Sequence, residues 1–175
     1  GDLVFVLQSN AYANFVDQIR AVAWSPDGTR IAFGGDTNTV EVWDVATRQH
    51  LFTYQGHTAS VGSLAWSPDS TRIASAGNDV HVWDAATGKT LFTYQSPSSG
   101  LWESQVAWSP DGTRIAAAGN SLQIWNANTG EHIFTYTGYG QNQYTIISAF
   151  TWSPDSNLIA SLGGGGPTIN VWVAD

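Results

Sequence analysis

One tetrapeptide returns four times along the chain: Trp-Ser-Pro-Asp begins at Trp24, Trp66, Trp108 and Trp152, a period of about 42 residues. Such a fixed period makes the chain an array of one supersecondary unit. A second tryptophan keeps step at Trp43, Trp83, Trp125 and Trp172, and Phe-Thr-Tyr recurs at 52–54, 92–94 and 134–136. Each unit therefore carries four short apolar segments divided by turn signals, which predicts four strands per unit and about 16 in all.

Within a unit the turn chemistry is explicit. Val22-Ala23-Trp24 runs into Ser25-Pro26-Asp27-Gly28, where proline presets φ and glycine accepts a positive φ, so a hairpin follows. Units 2 and 4 carry Ser70 and Ser156 in place of that glycine, which predicts turns that are strained or differently shaped. The returning strands are small and apolar, as in Arg30-Ile31-Ala32-Phe33, Arg72-Ile73, Arg114-Ile115 and Leu158-Ile159, and permit close approach of neighbouring sheets. The third strands alternate, with Val40 and Val42, Val80 and Val82, Leu122 and Ile124, and Ile169 and Val171 on one face and a tryptophan on the other. Both faces are expected to be buried.

Gly56-His57 followed by Trp83-Asp84 in a unit of this length resembles the WD-repeat β-propellers, and the resemblance covers the whole chain. It implies an all-β fold, a β-propeller with four blades of four antiparallel strands per chain. The domain is expected to be single, over 1–175, with repeats near 9–54, 55–94, 95–136 and 137–175 and an N-terminal strand at 3–8. Val4-Phe5-Val6-Leu7 aligns with Leu51-Phe52-Thr53-Tyr54, so the chain starts out of phase, on the last strand of a unit, and its far end is the third strand Ile169–Val173. In the family such an offset lets the N-terminal strand complete the last blade and remove an open edge, here by pairing with Ile169–Val173. The resemblance also implies a structural hydrogen-bonded set of His57, Ser75, Asp79 and Trp83. The turn around Asp79 is shorter than its counterpart in unit 1, which leaves the part played by Asp79 open. Trp43, Trp125 and Trp172 are expected to be buried supports like Trp83.

Blades of this family usually close in sevens or eights, so four span about 180 to 205 degrees and leave half a circle open. The frequent alanine and glycine favour such shallow wedges over a four-bladed ring. The reading is a homodimer that completes an eight-bladed ring, with a closed monomer, or association with another chain or with missing blades, as the alternatives.

Composition narrows function. With 14 acidic and 6 basic side chains the net charge is -8, which repels nucleic acid and anionic membrane surfaces, and neither is expected as a partner. There is no cysteine for a disulfide or thiolate site, and no methionine, so the sequence reads as an excised or processed piece. No apolar run approaches membrane-spanning length and no signal peptide precedes Leu3; a cytoplasmic location is expected.

No catalytic constellation emerges. Asp27, Asp69, Asp111 and Asp155 each follow Ser-Pro in a tight turn, where aspartate bonds local backbone. Gly88-Lys89-Thr90 lacks the glycine that a phosphate loop needs, because Trp83 stands there. His50, His81 and His132 lack ligand spacing. The expectation is no enzyme, no cofactor and no metal.

Function is sought instead in the loops that vary. Strands alternate direction, so the link between second and third strands and the loop before each first strand emerge on one rim, and the near-constant turns on the other. The variable rim carries aromatics beside polar residues, and Tyr12, Phe15, Trp102, Glu103, Tyr139 and Tyr144 are the candidate contacts for a protein or peptide. A glycan ligand, or a purely architectural propeller fragment, are the other readings.

Overall fold

Period-2 alternation of Val, Ile and Ala between Pro- and Gly-bearing turns produces strands throughout, and the computed structural model describes them over residues 2–7, 9, 17–95, 105–137, 146–163 and 167–174. Sheet 1 comprises β1 (Ile19–Trp24), β2 (Arg30–Gly35), β3 (Val40–Asp44) and β4 (His50–Tyr54). Sheet 2 comprises β5 (Ser63–Trp66), β6 (Arg72–Ala76), β7 (Asp79–Asp84) and β8 (Thr90–Gln95). Sheet 3 comprises β9 (Gln105–Trp108), β10 (Arg114–Ala118), β11 (Leu122–Asn126) and β12 (His132–Tyr136). Sheet 4 has β13 (Ile147–Trp152), β14 (Leu158–Gly163) and β15 (Ile169–Val173). Every sheet is an antiparallel meander in chain order, and the described residues hold no helix.

The Ser-Pro-Asp turns close on themselves. Ser25 Oγ donates to Asp27 at 2.6 Å and accepts the Arg30 N–H at 2.9 Å, while Asp27 also accepts from the Thr29 N–H at 2.9 Å. These bonds hold the Asp27 carboxyl down at about 2. The same set recurs around Asp69 and Asp111, so the aspartates serve the turns.

Of the two forms expected for the serine-bearing turns, the structure shows the strained one. Ser70 and Ser156 adopt the left-handed φ of 60° and 66°, close to the 72° and 71° of Gly28 and Gly112, so the turn shape is kept and the strain accepted. Their hydroxyls compensate by accepting the Asp27 and Asp111 backbone N–H groups of the preceding sheet, each at 3.1 Å. The turn residue that costs backbone energy thereby joins two sheets.

Cores lie between consecutive sheets. Ala32, Val40, Val42 and Tyr54 of sheet 1 meet Trp66, Ile73 and Trp83 of sheet 2, and equivalent clusters fill the next two joints. Among the described residues sheet 4 does not pack back onto sheet 1, so the array is an open arc. Two expectations are corrected by that shape. The third strand is buried on both faces only in sheets 1 to 3, whereas Val171 of β15 is 62% exposed, because no further sheet covers it. Within one chain residues 2–7 form no strand and do not pair with β15, since the arc holds the two ends apart. They lie instead against sheet 1, where the Arg48 guanidinium sits over Phe5 at 5.0 Å and Ser9 Oγ donates to Glu41.

Candidate interaction rim

The two rims are built differently. On one, the Ser-Pro-Asp turns alternate with β3–β4-type turns in which Asp44 accepts the Thr47 N–H at 2.7 Å and Asp84 the Thr87 N–H at 2.8 Å. Repeated local bonds leave that rim nearly uniform from unit to unit. On the other, Asp36 in the β2–β3 link accepts from Arg20, from the Gln18 N–H at 3.2 Å and from Ser60 Oγ at 3.0 Å. The Arg20 contact holds the Asp36 carboxyl below its usual range. This one carboxylate ties the approaches to β1 and β5 together.

The first strands of all four sheets converge behind that link around an open, polar hollow of about 620 Å³, lined by Gln18, Arg20, Ser63, Gln105, Ile147 and Ser148 among others. Ser63 Oγ accepts the Val106 N–H at 3.1 Å and Gln105 Oε1 accepts the Phe150 N–H at 2.9 Å, so part of the lining also fastens neighbouring first strands. The six rim candidates, Tyr12, Phe15, Trp102, Glu103, Tyr139 and Tyr144, lie outside the described residues.

The structural set is brought together in part. His57 Nε2 and Ser75 Oγ lie 2.6 Å apart, and Trp83 Nε1 donates to the same hydroxyl at 3.1 Å. Among the described residues no side-chain hydrogen bond joins Asp79 to this chain, because the short turn places Asp79 at the head of β7. His57 has a second neighbour that spacing did not reveal: its ring stacks on His81 at 4.1 Å, and Tyr54 Oη lies 2.7 Å from His81 Nδ1. Burial and then the adjacent His81 press the His57 pKa down to about 3, and burial lowers that of His81. Gly56 is required here, since a Cβ would fall 2.2 Å from Tyr54 Oη.

Of the paired tryptophans, Trp83 is wholly buried and Trp125 nearly so, while Trp43 and Trp172 are partly covered. Trp83, Trp125 and Trp172 each meet a tyrosine from the sheet before: Tyr54 stacks on Trp83 at 4.6 Å, Tyr94 on Trp125 at 4.6 Å and Tyr136 on Trp172 at 5.3 Å. One unit, a meander sheet joined to the next by fourth-strand tyrosine on third-strand tryptophan, thus repeats along the chain. The WD domain, G-beta repeat family matches residues 5–44, 48–84, 88–126 and 130–172. The chain is a WD-repeat protein.

Similarity to individual WD-repeat proteins is partial. The human U5 small nuclear ribonucleoprotein 40 kDa protein is 36% identical over 76 residues, 43% of this chain and 21% of that protein. The Arabidopsis thaliana protein named cell division cycle 20.6, cofactor of APC complex, is 34% identical over 56 residues, 29% of this chain and 13% of its own length. The WD repeat-containing protein srw1 of Schizosaccharomyces pombe is 34% identical over 65 residues, 37% of this chain and 11% of its length. The chain thus spans about a fifth or less of each of these relatives.

Sequence reasoning missed a set of residues that hold the WD sheets together. Arg30 lies over the Trp66 ring at 4.8 Å and donates to the Ser70 carbonyl at 2.6 Å. Arg72 lies over Trp108 at 4.7 Å and donates to Ala127 at 2.6 Å, and Arg114 lies over Trp152 at 5.3 Å and donates to Ser156 at 2.7 Å. The available signal was an arginine at one register in three repeats, with Leu158 in the fourth.

Proposed function

We propose that this WD-repeat chain is a non-enzymatic scaffold that binds a protein or an extended peptide through its variable rim. The observation that carries this reading is the contrast between rims: one repeats the same self-bonded turns, and the other surrounds a polar hollow with loops of differing length and sequence. In this reading Tyr12, Phe15, Trp102, Glu103, Tyr139 and Tyr144 supply contact area and the sheets supply rigidity. The names of two relatives, a ribonucleoprotein component and a cofactor of the APC complex, accord with work inside protein assemblies. Selection of displayed peptides on the intact protein tests it. Enriched peptides should lose binding to Trp102→Ala and Tyr144→Ala and keep it to Thr87→Ala on the opposite rim. Binding unaffected by the rim substitutions would overturn the reading; a glycan array with a saturable hit would favour a sugar ligand, and no ligand of either kind an architectural role.

The support for this rim is proposed to be an eight-bladed ring of two chains. The open arc and the position of residues 2–7 against sheet 1 favour it. Light scattering should then report two chains, and a species of 18.8 kDa at every concentration would refute it.

A further inference from the structure

We propose that two copies meet at an apolar seam in which Leu158 and Leu162 of one copy cover Trp24 and Ile19 of the next, in place of the arginine clamp of the internal joints. The inference rests on the two-copy reading above and specifies its contact.

The three internal joints act as templates. In each, an arginine at the start of the second strand covers the first-strand tryptophan of the following sheet, as Arg30 covers Trp66, Arg72 covers Trp108 and Arg114 covers Trp152. The same register pairs Leu158 with Trp24. Both are uncovered in one chain, Trp24 at 55% exposure against 6% for Trp66. A leucine supplies apolar cover to the indole but no donors, so this joint lacks the bonds to carbonyls that the clamp makes.

Two further matches run across the same faces. Leu162 occupies the position of Gly34, where a Cβ would meet Val61 of the next sheet at 3.3 Å, and sheet 1 carries Ile19, 52% exposed, at the register of Val61. At the joint between sheets 2 and 3, a Cβ on Gly112 would meet Pro68 at 3.5 Å, whereas Gly28 has nothing within 4 Å. Pro154 stands at the register of Pro68, so the turn of sheet 4 fits the open space at Gly28. Sheets 1 and 3 carry glycine there and sheets 2 and 4 serine, so a join from sheet 4 to sheet 1 continues the alternation that a join from sheet 2 to sheet 3 already uses.

Backbone position agrees. Phe5 lies against the β3–β4 turn at Arg48 as Phe52 lies against Gly88 and Phe92 against Gly130, so residues 2–7 occupy the place of a fourth strand from a preceding sheet. β15, with Ile169, Val171 and Val173 exposed, has no fourth strand beside it among the described residues. One chain therefore carries both halves of one joint, and two identical head-to-tail joints close on a twofold axis. Apolar burial at the seam predicts association that salt does not weaken.

The full chain tests this by light scattering and a dilution series, with far-UV circular dichroism confirming that each variant is folded. Trp24→Ala should weaken association about 100-fold, and Leu158→Arg, which restores the clamp, should tighten it about 10-fold. A single 18.8 kDa chain at every concentration overturns the two-copy reading and the seam with it. A two-chain species whose dissociation constant ignores both substitutions overturns the seam alone. The chain has no cysteine, so Trp24→Cys with Leu158→Cys gives a clean cross-linking pair for a short bis-maleimide. Covalent two-chain product is expected; a link within one chain or a ladder of higher products would overturn the proposal.

Discussion

Val22 and Val106 are the same residue at the same register of a first strand, yet Val22 is 67% exposed and Val106 4%. The third strands repeat the contrast, with Val82 wholly buried and Val171 open. Local sequence is matched in each pair, so the difference lies entirely in the neighbouring sheet. In a repeat array the hydrophobic term belongs to the joint, and a sheet without a neighbour keeps its apolar residues in water.

The largest break in that comparison is expected at Trp83. Its ring is fully buried beneath Tyr54, so Trp83→Ala should cost about 3 to 5 kcal/mol in urea unfolding through the cavity it leaves. Trp24→Ala, measured at a concentration where chains are separate, should cost less than about 1 kcal/mol. Equal effects would show that sheet 1 is covered in solution by something the arc lacks.

Acid should sharpen the comparison at the joint of sheets 1 and 2, where His57 faces His81, Tyr54 and Ser75, with Asp79 on the same strand as His81. The folded pKa of His57 is depressed to about 3 from 6.5. Above 6.5 both states are neutral and the histidine is indifferent. Below it the unfolded chain takes a proton that the folded chain refuses, so stability falls with pH until about 3, by about 2 kcal/mol at pH 5 relative to pH 7. The turn aspartates, whose pKa values are also lowered, add their loss mainly as pH falls through and below the 3.8 of a free aspartate. Unfolding midpoints across pH 7 to 4.5 should flatten in the double variant His57→Gln, His81→Gln; an unchanged slope would place the proton uptake elsewhere.

The smallest effect separates clamp from seam. Arg72→Leu copies the residue of sheet 4 into an internal joint and should cost about 1 kcal/mol, since the partly buried guanidinium's ring contact and its bond to Ala127 are lost while the alkyl cover remains. No measurable change in the unfolding midpoint would mean that the arginines decorate joints held by apolar packing.

Strands and turns were legible in the residues. The Trp-Ser-Pro-Asp turns, the alternation of Val80 and Val82 around His81, and the small β6 and β10 strands all stand where the pattern puts them, because turn chemistry and period-2 alternation act over a few residues. The His57–Ser75–Trp83 chain was readable only through family resemblance, and Asp79 stands outside it. The His57–His81 stack carried no local signature, and the arginine clamps left only the recurrence of arginine at one register in three repeats.

The amino-acid order by itself determined the repeat, the four-sheet architecture and the positive φ of Gly28 in its hairpin turn. Only the tertiary structure decided which of several equivalent valines and tryptophans are buried, which carbonyl each arginine reaches, and why Ser70 is kept at a position that suits glycine. Those outcomes depend on contacts between residues some 40 positions apart in adjacent sheets, such as Ser70 with Asp27 and Arg72 with Trp108. Side-chain periodicity within a strand carries no information about whether a neighbour is present, because a strand's alternation is the same whether its face meets another sheet or water.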